Sequence, residues 1–227
     1  MKTIAKRCLR ISNPSWHNMQ RTPNDTENKL LLLHAIDCLG GVTAQQLLRF
    51  FVENDAMGYI EVQLLLAELY YKGEGMLRND KDALEWYSKA ASQGLPEAQD
   101  SLGLMYARGD GVARNYKKAV EWFKLAANRG YAESQNNLGF MYTRGLGVKQ
   151  NYEKALMWYR KAAEHNLPQA QFNLGGMYLR GDGVKQNYRT AAQWFKKAAE
   201  QGMEEAQESL KRIMRNGQVI SEEDMSI

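Results

Sequence analysis

Residues 130–165 read GYAESQNNLGFMYTRGLGVKQNYEKALMWYRKAAEH. Glycines at 145 and 147 divide the stretch into two runs, each with apolar residues at helical spacing. The same pattern recurs on both sides of it. Trp86, Trp122, Trp158 and Trp194 lie 36 residues apart, and Tyr70, Tyr106, Tyr142 and Tyr178 keep that period. So do Leu66, Leu102, Leu138, Leu174 and Leu210, and the alanine pairs from Ala90–Ala91 to Ala198–Ala199. Four full units follow, at about 58–93, 94–129, 130–165 and 166–201. So many positions in one register predict a repeat array.

Each unit is expected to form two helices. In the second unit Pro96 suits a first turn, where its missing N–H costs nothing. Ala98, Leu102, Met105 and Tyr106 then fall on one face, and Gly109 ends the helix in a left-handed cap. Asn115 is the expected N-cap of a second helix over Tyr116–Asn128, with Asn79, Asn151 and Asn187 at matching positions. Tyr116, Ala119, Trp122, Phe123 and Ala126 are expected inward, and Lys117, Glu121, Lys124 and Asn128 outward. Gly94, Gly130 and Gly202 cap the second helices, and Asn166 stands in for glycine in the remaining unit. Small residues Ala98, Ser134, Ala170 and Ala206, with Gly103, Gly139 and Gly175 a turn or so later, let helices approach while Trp and Tyr fill the gaps. One such pair cannot bury its apolar face alone, so the fold class is an all-α, α/α superhelical solenoid of about four 36-residue repeats with capping helices.

The unit at 130–165 and its two neighbours resemble the Sel-1-like repeat, a relative of the tetratricopeptide repeat. The resemblance covers about residues 58–216, and departures such as Asn166, Ala67 and Met76 leave the fold intact. It implies an adaptor that binds a protein or peptide along a concave surface. Neither enzyme activity nor a cofactor is expected, since no catalytic motif occurs.

Outside the four units, residues 202–217 continue the register for one helix and read as a C-terminal cap, with Ala206, Leu210 and Met214 at core positions. Residues 27–57 read as a degenerate repeat serving as the N-terminal cap, residues 1–26 as a basic tail and residues 218–227 as an acidic tail, both disordered. A rival reading takes residues 30–73 as a winged helix-turn-helix, the DNA-binding part of a regulatory protein. Its recognition helix, from about Tyr59 to Tyr71, would carry Glu61 and Glu68 and no cation, which suits a phosphate-lined groove poorly.

Charge and motifs narrow the function classes. The formal net charge is +4, yet residues 1–24 hold Lys2, Lys6, Arg7, Arg10 and Arg21 and no acid. The surplus lies in the tail, which argues against a nucleic-acid-binding body. Cys8 and Cys38 form no framework, and His17, His34 and His165 have no ligand spacing, so neither a disulfide scaffold nor a metal site is expected. No apolar run is long enough to cross a membrane. The expected location is cytoplasmic, with organelle targeting through the basic tail as the alternative. Gly109-Asp110-Gly111 lacks the lysine and serine or threonine of a phosphate loop and reads as cap plus turn. No nucleophile or metal-hydrolase motif occurs, so there is no candidate catalytic residue.

A partner surface is expected where the units differ. Along the first helices one strip varies: Leu64, Glu68 and Tyr71, then Asp100, Leu104 and Ala107, then Asn136, Phe140 and Thr143, then Phe172, Gly176 and Leu179. Tyr71, Phe140, Phe172 and Leu179 are large apolar groups there and are candidate anchors, unless they pack between repeats. Beside the strip runs a ladder of Lys72, Arg108, Arg144 and Arg180, with Asn137 and Asn173 two turns before the last two arginines. Each cation complements its helix dipole. Together they suit a clamp for carboxylates of an acidic segment or a C-terminus.

Overall fold

The computed structural model describes residues 60–73 and 77–215. The basic tail, the N-terminal cap, the acidic tail, Met76, the two cysteines, His17 and His34 lie outside the described residues. Every regular element among the described residues is an α-helix. They are α1 (Ile60–Lys72), α2 (Asp80–Ser92), α3 (Pro96–Arg108), α4 (Tyr116–Asn128), α5 (Ala132–Arg144), α6 (Tyr152–Glu164), α7 (Pro168–Arg180), α8 (Tyr188–Glu200) and α9 (Glu204–Arg215). Two helices per 36 residues make the chain an all-α solenoid. No helix among the described residues is long and apolar enough to cross a membrane.

Local chemistry sets the helix ends. Asn79, Asn115, Asn151 and Asn187 are extended and accept backbone N–H groups of the first turn of α2, α4, α6 and α8. Each also donates its own N–H to a tyrosine carbonyl near the end of the preceding helix: Tyr70, Tyr106, Tyr142 and Tyr178, at 2.8–3.0 Å. One asparagine thus satisfies unpaired groups of two helices. Gly109 ends α3 at φ +88°, and Asn166 takes φ +61° after α6, as its place in the register requires.

The described residues divide into two compact units, 60–73 and 77–98 with 110–112, and 99–109 with 113–215. In the first, α1 packs on α2 and buries Val62, Leu66, Ala83, Tyr87 and Ala90. Ala67, where later repeats have glycine, is fully buried. In the second, α4 to α9 pack in chain order, each on the next. Their main core includes Phe123, Leu138, Met141, Tyr159, Leu174 and Met177, and a smaller cluster of Ala191, Ala192, Phe195 and Ile213 follows at the last helices.

The close approach of the helices has a specific origin. A Cβ on Gly103 would stand 2.6 Å from the Phe123 ring, one on Gly139 2.6 Å from Tyr159, and one on Gly175 2.9 Å from Phe195. The ring that meets each glycine therefore belongs to the residue after the tryptophan, which corrects the expectation that Trp fills this gap. Trp122 and Trp194 are only half-buried. Lys89, Lys161 and Lys197 lie over the rings of Trp86, Trp158 and Trp194 at 3.9, 4.8 and 4.5 Å from the centroids. The second glycine of each turn is more than a turn residue. At Gly147 and Gly183, both at positive φ, a Cβ would overlap backbone of Tyr116 and Tyr152, at the start of the previous repeat's second helix.

Helix α9 closes the second unit with Ala206 and Ile213 buried and Leu210 half-buried. Met214, expected in the core, is 37% exposed. Seven residues return a helix nearly to the same azimuth, whereas eight overshoot it, so Ile213 lies under Ala206 and Met214 does not.

Candidate functional site

Lys72, Arg108, Arg144 and Arg180 are the last residues of α1, α3, α5 and α7, and all are exposed. Their place at the negative end of a helix favours a cation in every repeat. Their surroundings differ. In the first unit Lys72 pairs with Glu68 one turn back, at 3.4 Å. In the second unit Arg180 Nε donates to Asp182 Oδ2 at 2.6 Å, and the Arg144 guanidinium lies over the Phe140 ring at 5.9 Å from its centroid.

The variable strip is partly packed and partly open. Leu64, Asp100 and Gly176 are buried. Phe172 and Leu179 are half-buried against the cluster of Phe195 and Ile213, with the Phe172 and Phe195 ring centroids 5.4 Å apart. In the first unit Tyr71 meets Tyr87 edge-on at 6.3 Å, and its hydroxyl donates to Asp110 Oδ2 at 2.8 Å. Phe140 differs from these three, being 45% exposed.

Asn137 and Asn173 bridge repeats. Asn137 Nδ2 donates to Asp100 Oδ1 at 2.9 Å, and Asn173 Nδ2 donates to Asn136 Oδ1 at 2.9 Å. Both amides are thereby ordered on the face that carries Phe140 and Arg144. Ser134 Oγ adds a second donor to Asp100 Oδ1 at 2.5 Å. Burial pushes the Asp100 carboxyl above the ordinary carboxylate range, against the opposing pull of those two donors and of Arg108, while Glu133 adds to the rise.

Tyr159 is buried behind this face. Tyr159 hydrogen-bonds Thr143, whose own hydroxyl donates to the Gly139 carbonyl at 2.8 Å. Burial raises the Tyr159 pKa, and the fields of Arg144 and Arg180 both oppose that rise.

A further series also keeps the 36-residue period: Gln63, Gln99, Gln135 and Gln171, all buried. Gln63 accepts from Gln93 at 2.8 Å, Gln135 donates to the Ala127 carbonyl at 3.2 Å, and Gln171 accepts from Gln201 at 2.9 Å. These three amides tie α1, α5 and α7 each to the end of a second helix. Their period was visible, but their polarity concealed their burial. Among the described residues no group of three His, Cys, Asp or Glu side chains is arranged to hold a metal ion.

The sequence profile of the Sel1 repeat matches this chain four times, at residues 60–95, 96–131, 132–167 and 168–203. The chain belongs to the Sel1 repeat family. The matched units begin two residues after 58, 94, 130 and 166, because the profile starts near the first helix and the glycine or asparagine before it opens each expected unit. Helix α1, the recognition helix of the winged-helix reading, is the first helix of the first Sel1 repeat.

Among solved structures, a Sel1 repeat protein from Oxalobacter formigenes is 38% identical with a TM-score of 0.68, covering 74% of this chain and 69% of its own. A protective antigen of uropathogenic Escherichia coli strains, described as displaying an SLR fold, is 36% identical with a TM-score of 0.72. It covers 78% of this chain, which spans only 37% of it. Comparison with curated proteins gives no match. Sel1 repeats serve in general as non-enzymatic scaffolds for protein–protein interaction.

Proposed function

We propose that this Sel1 repeat protein is a non-enzymatic adaptor that binds a protein or peptide through the face lined by its first helices, the concave face in a solenoid of this kind. Lys72, Arg108, Arg144 and Arg180 supply the cations, and Asn137 and Asn173 supply ordered amides. Tyr71, Phe140, Phe172 and Leu179 supply apolar surface, of which Phe140 stands most open. One observation carries the reading: a large ring, 45% exposed, stands beside a ladder cation on the strip where otherwise regular repeats differ. Carboxylates of an acidic segment or of a C-terminus are the complementary groups.

The test is affinity capture with the full chain and with a variant carrying Arg108→Glu, Arg144→Glu and Arg180→Glu. The expected result is loss of the captured protein with unchanged helicity by circular dichroism. Equal capture by both proteins would remove the ladder from the binding surface.

A further inference from the structure

We propose that the surface around Arg144 takes the last residue of a partner chain, recognising its free α-carboxylate together with a large apolar side chain. This deepens, and rests on, the reading of the first-helix face as the partner surface. It chooses between the two carboxylate sources that the ladder suits.

The choice follows from charge. An internal acidic run needs several cations in a row with their charge uncompensated. In the second unit Arg180 is bridged by Asp182 at 2.6 Å, and Arg108 has an interaction of its own. Arg144 has a different neighbour, the Phe140 ring, and makes no ion pair among the described residues. Asp182 thus offsets Arg180, while Arg144 stands beside an exposed ring with no acid bridged to it. What remains is close to a single positive charge, enough for one carboxylate.

The apolar half of the site lies one turn away. Phe140 and Arg144 are four residues apart on α5, so ring and guanidinium share a face of the helix. A C-terminal Leu or Phe carries a carboxylate and an apolar side chain on the same carbon, and so matches both. An internal Asp or Glu carries the carboxylate alone. Asn137, three residues before Phe140, is already fixed by Asp100, so ordering its amide costs little on binding.

The experiment uses the full chain and three synthetic peptide pools with fluorescent N-termini. The first has mixed interiors and ends in Leu or Phe as the free acid. The second is the same pool as the carboxamide. The third is rich in internal Asp and Glu and ends in a carboxamide. The expected result is that the free-acid pool binds at least about tenfold more tightly than the other two, the scale of one lost charge-assisted pair. Arg144→Gln should abolish that advantage. Phe140→Ser should remove the preference for Leu or Phe over a Gly-ended free-acid pool. Both variants change exposed positions, and unchanged helicity confirms that they fold. Binding of the acidic carboxamide pool as tightly as the free-acid pool overturns the inference and leaves the adaptor reading standing. Binding of no pool also overturns it, and the lysate capture then judges the surface independently.

Discussion

Gly139 and Phe140 are neighbours in sequence and belong to different parts of the molecule. Gly139 faces the Tyr159 ring so closely that a methyl group has no room. Phe140 turns 100° away and is nearly half exposed. The first belongs to a seam of glycine against aromatic ring that repeats at Gly103 and Gly175. The second belongs to a strip that holds Asp100, Asn136 and Phe172 or Leu104, Phe140 and Gly176 at equivalent positions. The seam is held similar because close packing tolerates no added volume. The strip can vary because packing constrains only part of it.

Substitutions at these neighbours should separate the two regions most widely. Gly139→Val drives a branched side chain into a buried ring and should cost about 3 kcal/mol of unfolding free energy, at the upper end of overpacking effects. Phe140→Ser removes a ring that is already half in water and should cost no more than about 1 kcal/mol. Urea denaturation of both variants checks the pair, and comparable losses would erase the distinction.

A smaller effect tests the joint between successive helices. Asn151→Ala removes the side-chain acceptor of the Lys154 N–H at the start of α6. It should cost about 1 kcal/mol by thermal unfolding, because the backbone bond to the Tyr142 carbonyl survives. A loss as large as that of Gly139→Val would mean that the turn, not the seam, holds the repeats together.

The smallest effect lies at the edge of the strip. Asp100 is raised by burial, so the native state holds its proton more tightly than the unfolded chain does. Its ionisation therefore costs stability as pH rises from the ordinary carboxylate range through the raised native value. Asp100→Asn keeps an oxygen for Ser134 and Asn137 and removes that cost. The variant should melt higher than the parent near neutral pH, with the gap closing as pH falls towards about 4. A gap that is constant with pH would show that the carboxyl does not titrate in this range.

Much of the fold was legible because its determinants are local. Pro96, Gly109, Asn115 and the apolar spacing between them give α3 and α4 with the ends that the sequence suggested. Side-chain choice within an apolar arc was not legible. Trp122 and Phe123 both lie on that arc, and only the neighbouring Gly103 decides which ring goes deep. Ile213 and Met214 pose the same ambiguity at the last helix. The candidate site was legible as a strip and a ladder, but not in its burial. Asp100, Phe172 and Leu179 are covered by Ser134, Asn137 and Phe195, which lie some fifteen to forty residues further along the chain. No local pattern reports such partners.

The most direct test compares two faces that are equally open in the free protein. Phe140 on a first helix is 45% exposed, and Met157 on a second helix is 44% exposed. Hydroxyl-radical footprinting of the chain, alone and with its captured partner, measures the protection of each residue relative to its own free rate. The account predicts strong protection of Phe140 and unchanged oxidation of Met157. Protection of Met157 with Phe140 still oxidised at its free rate would place the partner on the second helices and contradict the account.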